Sequence, residues 1–253
     1  MKITVIGATG LIGSKVVPLL EADGHTVVAA SRESGLDVLT GAGLADALSG
    51  ADALVDLTNS PSFEDDAVLR FFTTSTTNLV RGAAQAGVDH YVALSIVGAD
   101  GLPESGYMRA KVAQERILRE SGVPYTIVRA TQFQEFAEAI TESLTVDDEV
   151  HAPDGMIQPI AADDVAAEVA RVAAAPARNG HVNIGGPDKM SFADLARAVL
   201  RAKGDDRPVV VDPQATYFGT AVDDYSLVTG DDAVITRIRF ADAVAADTED
   251  VAL

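Results

Sequence analysis

The segment Lys2-Ile-Thr-Val-Ile6 runs straight into Gly7-Ala-Thr-Gly10-Leu-Ile-Gly13. Few short stretches constrain a fold so tightly. Lys2 to Ile6 is apolar and β-branched, as a strand buried in a parallel sheet requires. Leu11 to Leu20 carries apolar residues at helical spacing, so the three glycines fall at a strand-to-helix turn. Gly7 permits the turn's backbone angles, Gly10 lets a diphosphate approach the main chain, and Gly13 lets helix and strand pack closely. The helix N-terminus adds free amides and partial positive charge. Glycine turns are also common as plain structure. Placed between a clean strand and a clean helix, this one points to a dinucleotide site.

The rest of the first half repeats the strand–helix alternation. Strands are expected at His25 to Ala30, Ala51 to Leu57, His90 to Ile96 and Tyr125 to Arg129. Helices are expected at Leu44 to Leu48, Ala67 to Ala86 (stopped by Gly87) and Tyr107 to Ser121. That succession implies an α/β fold, a doubly wound, Rossmann-like parallel sheet, with a small irregular C-terminal lobe. In the second half, Val165 to Ala174 reads as a helix capped by Asp163, and Ser191 opens another with Asp194 three residues on. His181 to Ile184 and Val209 to Val211 read as strands. The doublets Asp147-Asp148, Asp205-Asp206 and Asp231-Asp232 look like turns. The acidic tail from Ala241 is expected to be loosely ordered. One domain over residues 1–253 follows, its substrate lobe built from about 133–160 and 185–240.

Bulk properties narrow the partners. The chain has a formal charge of −19 and no cysteine. The charge argues against nucleic acid and anionic membranes, and the missing cysteine removes thiol nucleophiles, disulfides and thiolate metal sites. The opening strand does not read as a secretory leader, and no apolar run is long enough for a bilayer. A cytoplasmic protein acting on a small molecule, as monomer or homodimer, is expected. His90 and His151 each lack a second histidine at ligand spacing, so no metal site is expected.

Two constellations carry chemistry. The strand ending Val27-Val-Ala-Ala30 continues as Ser31-Arg32, where a Rossmann-type site meets the adenosine ribose. An acid there suits the 2′-hydroxyl of NAD. Arg32 can instead fork onto the 2′-phosphate of NADP, with Ser31 donating to it, so NADP(H) is expected ahead of NAD(H). A plain surface arginine is the alternative, and Glu33 can pair with Arg32 or face the ribose. Second, Ser95 ends a strand at the carboxyl edge of the sheet, and Tyr107 and Lys111 share one helix face at a spacing of four. Tyr107 would exchange the proton in a carbonyl/alcohol hydride transfer. Lys111 would stabilise its phenolate, and Ser95 would hold the substrate oxygen. Phe133, Phe136, Tyr217 and Phe218 either wall the substrate cleft or pack the core.

The glycine turn, with Ser95 twelve residues before Tyr107-x-x-x-Lys111, resembles the short-chain dehydrogenase/reductase superfamily. Ala93-Leu-Ser-Ile-Val-Gly98, Glu115-x-x-Leu118-x-x-Ser121-Gly122, Tyr125-Thr-Ile-Val-Arg129 and Ile160-Ala-Ala-Asp-Asp164-Val-Ala166 resemble its atypical, NmrA-like NAD(P)H-binding branch. The resemblance implies that Gly7, Thr9, Gly10, Leu11, Ile12 and Gly13 line the pyrophosphate. It implies that Leu57-Thr58-Asn59 pass the adenosine and nicotinamide riboses, that Lys111 is a cofactor ribose ligand, and that Ala130-Thr131-Gln132-Phe133 border the nicotinamide. Many members of this branch lack the Tyr/Lys pair and act as redox-sensing regulators or as reductases with other catalytic groups, whereas this chain keeps it. An NADPH-dependent reductase of a small carbonyl or quinone is therefore expected. The alternatives are a non-catalytic NAD(P) sensor and, lower, a sugar-nucleotide epimerase or dehydratase.

Overall fold

The computed structural model describes residues 1–241, so the acidic tail from residue 242 onward lies outside the described residues. In chain order the elements are β1 (Lys2–Ile6), α1 (Gly13–Ala22), β2 (Thr26–Ala30), α2 (Leu44–Leu48), β3 (Ala53–Asp56), α3 (Asp65–Ala86), β4 (His90–Ile96) and α4 (Gly106–Arg119). There follow β5 (Tyr125–Ala130), α5 (Ala137–Ser143), β6 (Thr145–Val146), β7 (Glu149–Ala152), β8 (Met156–Ile157) and α6 (Ala162–Ala173). The last described elements are β9 (Gly180–Gly185), β10 (Met190–Ser191), α7 (Phe192–Lys203), β11 (Val209–Val211) and β12 (Val234–Ile235).

Seven strands form one parallel, Rossmann-like sheet in the order β2-β1-β3-β4-β5-β9-β12. The chain moves outward from β1 to β2, then returns to lay β3 on the other side of β1. That reversal makes the carboxyl end of β1 the topological switch point, where open α/β sheets bind ligands. Register sharpens the placement. Ile6 aligns with Ala30 of β2 and with Asp56 of β3, and Asp56 aligns with Ala93 of β4. Gly7, Ser31 and Leu57 therefore leave the sheet at one edge, while β4 runs on past Ala93 to Ile96.

The chain divides into two compact units. The first comprises Met1–Ser95, Gly106–Arg129 and Val165–Val182, and the second comprises Ile96–Ser105, Ala130–Asp164 and the chain from Asn183 onward. The core of the first unit joins Leu54, Tyr91 and Ile127 of the strands to Val68, Phe72 and Leu79 of α3 and to Ala110 and Leu118 of α4. The second unit holds two small sheets, β11-β7-β6 and β10-β8. Asp147 and Asp148, both in the left-handed region (φ 49° and 63°), make the turn between β6 and β7. Aspartate tolerates that conformation better than most residues.

Several expectations shift. The helix around residue 165 begins at Ala162, so Asp163 lies in its first turn and does not cap it. The reason is a cap supplied from elsewhere: Glu135 Oε1 accepts the Ala162 N–H at 2.9 Å. Asp164 Oδ2 instead accepts the amides of Arg237 and Ile238. Ser191 caps α7 as expected, its hydroxyl accepting the Asp194 N–H at 3.0 Å. The short strands β6, β7, β8, β10 and β12 have no counterpart among the expected elements. Pairs and quartets of residues carry too little alternation to register as strands.

The turn after β1 owes its shape to internal contact. A Cβ on Gly13 would overlap the carbonyl oxygen of Gly7 and lie 2.7 Å from Ala8 Cα. Gly13→Ala is therefore expected to cost about 1–3 kcal/mol through forced backbone displacement. Denaturant unfolding checks this, and a wild-type midpoint would show that the turn gives way freely.

Candidate functional site

The glycine turn is bound to the end of β2 by two amides, Gly7 N–H and Ala8 N–H, both donating to Ala30 O at 3.0 and 3.2 Å. Gly7 sits at φ +81°, and a Cβ there would lie 2.7 Å from Leu57 O. The loop after β3 is thus pressed against the turn. Gly10 differs. Its φ is ordinary, and a Cβ would approach only Gly7 O, at 3.3 Å. The fold scarcely needs a glycine there, so its bareness serves an incoming group. The amides of Thr9, Leu11 and Ile12 have no partner among the described residues. Three free amides at the head of α1, over a glycine that leaves room, fit a diphosphate.

Ser31 and Arg32 follow β2 on the same edge. Ser31 N–H donates to Ser34 Oγ at 3.0 Å, and that hydroxyl donates to Ser31 O at 2.8 Å, tying a single turn of 3₁₀ helix. Arg32 is exposed, and its guanidinium makes no hydrogen bond or ion pair among the described residues. An arginine left open beside an anion-binding turn suits a phosphate monoester.

The face of α4 that turns inward carries Tyr107, Lys111, Gln114 and Glu115. Tyr107 Oη donates to Asn59 Oδ1 at 2.8 Å, and its ring packs against Phe63 and Phe72. Burial pushes the phenol up to about 12. The expectation that Lys111 would acidify Tyr107 is corrected, because the phenol is raised and the two polar ends hydrogen-bond to different groups although both side chains touch Phe72. Lys111 is buried with its ammonium over the Phe72 ring, 4.4 Å from the centroid. It donates to Leu94 O at 2.8 Å and to Gln114 Oε1. Burial lowers it to about 8, while the charges of Asp56 and Glu115 resist. Ser95 is also buried, its hydroxyl donating to Glu115 Oε1 at 2.7 Å. The structure therefore places Tyr107 at the β3 loop and both Ser95 and Lys111 in the core.

The residues that hold this arrangement lie outside the constellations singled out from the sequence. Asp56, 1% exposed, accepts from Thr58 N–H (3.0 Å) and Thr58 Oγ1 (2.7 Å) through one oxygen. Its other oxygen accepts from Tyr91 Oη (2.9 Å) and Gln114 Nε2 (3.1 Å). Tyr91 is pushed well above its ordinary value by burial and by the Asp56 charge. Glu115 receives Arg129 as a two-point pair (2.9 and 2.7 Å), with Arg119 added at 2.6 Å. The available signal is an aspartate ending the apolar run Ala53-Leu-Val-Asp56.

In the second unit, Ala130, Thr131, Gln132 and Phe133 continue β5. Thr131 N–H donates to Ile184 O, and Gln132 O accepts from Ile160 N–H. Thr131 Oγ1 and Gln132 Oε1 are buried without a hydrogen-bond partner among the described residues. Phe133 stacks on the half-exposed Phe136 with ring centres 5.8 Å apart. Tyr217 belongs to the core, against Phe192, while Phe218 is 60% exposed at φ +45°. Among the described residues no cluster of three or more His, Asp or Glu side chains is placed to hold a metal, and no helix is long and apolar enough to cross a membrane.

Comparison with known proteins gives the family and the fold. The NAD(P)H-binding family model matches residues 7–176. An NAD(P)H azoreductase from Xenophilus azovorans is 31% identical over 233 residues, spanning 82% of this chain and 75% of that protein. The photosystem II assembly factor Ycf39 of Synechocystis sp. is 27% identical over 149 residues, 53% of this chain. The chain matches about half the length of that relative, 46%. Among solved structures, MoeE5 in complex with UDP-glucose and NAD superposes with a TM-score of 0.78 at 19% identity, covering 98% of both chains. That likeness is one of fold. The chain belongs to the NAD(P)H-binding family.

Proposed function

We propose that this protein is an NADPH-dependent reductase that passes a hydride to a small acceptor such as a carbonyl or quinone. The observation that carries the reading is the pairing of three free amides over Gly10 with the unpaired guanidinium of Arg32 at the same sheet edge. The likeness to the azoreductase supports reduction as the chemistry. When bound, the reduced dinucleotide supplies a hydride. The amides of Thr9, Leu11 and Ile12 hold its diphosphate, and Ser31 and Arg32 receive its 2′-phosphate. Leu57, Thr58 and Asn59 border its riboses. Ala130, Thr131 and Phe133 border the nicotinamide.

Tyr107 supplies the proton that the acceptor's oxygen takes up when the hydride adds to its carbon. A phenol raised to about 12 is a weaker acid than an ordinary tyrosine, so it gives up its proton only to a strongly basic oxygen, such as the alkoxide that forms as the hydride adds. Ser95 and Lys111 serve from the core, by what they hold, because both are already engaged there. A second reading, a dinucleotide-binding protein that serves a protein partner, is favoured by the likeness to the assembly factor.

Two measurements separate these. Arg32→Ala should weaken NADPH binding about tenfold, near 1.4 kcal/mol, and leave NADH within twofold. Fluorescence titration reads both, and equal losses would refute the phosphate role. With a panel of quinones, aldehydes and azo dyes, Tyr107→Phe should lower kcat by about 10²–10⁴-fold while NADPH affinity holds. Turnover untouched by that change removes Tyr107 from the chemistry. No turnover with any acceptor, despite tight binding, favours the second reading.

A further inference from the structure

The side chains of Lys111, Gln114, Asp56 and Thr58 form one unbroken hydrogen-bonded chain from the middle of α4 to the loop pressed against the glycine turn. Each link has a forced direction. An ammonium has three donors and no acceptor, so Lys111 fixes the Gln114 amide with its oxygen inward. The Gln114 NH₂ is then turned onto Asp56 Oδ2. Asp56 Oδ1 is left to take both donors of Thr58, which sets the loop Leu57–Asn59. That loop carries the carbonyl beneath Gly7 and the Asn59 oxygen that receives Tyr107. The groups facing Lys111 from neighbouring elements are the Leu94 carbonyl of β4, the Phe72 ring of α3, and the charges of Asp56 and Glu115.

We propose that Asp56 and Gln114 are positioning residues for dinucleotide binding, oriented from inside the core by the Lys111 ammonium, and that together they set the cofactor loop. This rests on the reading of the glycine turn as the dinucleotide site. Polarity is what the chain transmits, so it can be broken and restored. In Asp56→Asn the new amide faces the Gln114 amide, donor against donor. In Gln114→Glu two carboxylates face each other. The double variant restores the match. The introduced asparagine NH₂ donates to the introduced glutamate and to Tyr91 Oη, while the asparagine oxygen still accepts from Thr58. The glutamate in turn still accepts from Lys111.

The test is a double-mutant cycle with two readouts: NADPH dissociation constant by fluorescence, and amide hydrogen exchange of residues 57–60 in the ligand-free protein. Each single variant should bind NADPH about tenfold more weakly and exchange faster at residues 57–60. The double variant should return to within about threefold of wild type in both readouts. Folded single variants with wild-type affinity and exchange would overturn the proposal. If a single variant does not fold, the double variant decides alone: restored loop protection supports the chain, and a folded double variant with a fast-exchanging loop overturns it. Should wild type bind no dinucleotide, the reading of the turn fails, while the exchange data still decide whether the chain orders the loop.

Discussion

Two buried carboxylates govern the site unit. Asp56 and Glu115 are both about 1% exposed, and each accepts four hydrogen bonds. An ionised carboxyl inside a protein costs several kcal/mol unless its lone pairs are met, so each dictates the side chains around it. Glu115 requires Arg129 on β5 and Ser95 on β4, which locks α4 to the sheet. Asp56 requires Tyr91, Gln114 and the Thr58 loop, which locks the end of β3. Ser95 and Lys111, read as parts of a reaction centre from their spacing, are drawn into these two shells.

The contrast between what could and could not be read from the chain follows from range. The glycine turn was legible because its constraints are steric and local: Gly7 and Gly13 touch atoms within a few residues or on the adjoining strand end. The alternation of strands and helices was legible for the same reason, with β4, β11 and α2 falling at their expected bounds. Helical spacing put Tyr107 and Lys111 on one face correctly. It carries no information on depth, and depth decides their chemistry. One turn further in, Lys111 meets Phe72 and Leu94, while Tyr107 meets Asn59. The start of α6 failed similarly, since the group that caps it is Glu135, twenty-seven residues back along the chain.

The second unit was the least legible part. Its sheets are built from strands of two to four residues, stabilised by single contacts such as the Gln158 side chain. That amide donates to Gly186 O and accepts from both donors of Thr229. Pairings of this kind depend on one amide meeting two distant backbone segments, and no periodicity announces them. Specificity in α/β proteins sits in such irregular connections, carried by a regular sheet.

Taken at long range, the overall charge of −19 disfavours an anionic cofactor. Range again decides. At physiological ionic strength the Debye length is about 8 Å, so carboxylates dispersed over the surface are largely screened from one another and from a ligand. Contacts at hydrogen-bond distance are not. The amides of Thr9, Leu11 and Ile12 and the Arg32 guanidinium make no hydrogen bond among the described residues and so are open to a ligand at that distance, and α1 has no acidic residue in its first turn. The buried carboxylate of Asp56 commits its oxygens to Thr58, Tyr91 and Gln114, and so presents hydrogen-bonded donors and not bare charge to the loop. A protein this acidic can therefore hold a phosphate-rich ligand, provided that its few cationic and amide donors at the sheet edge are kept free of internal partners.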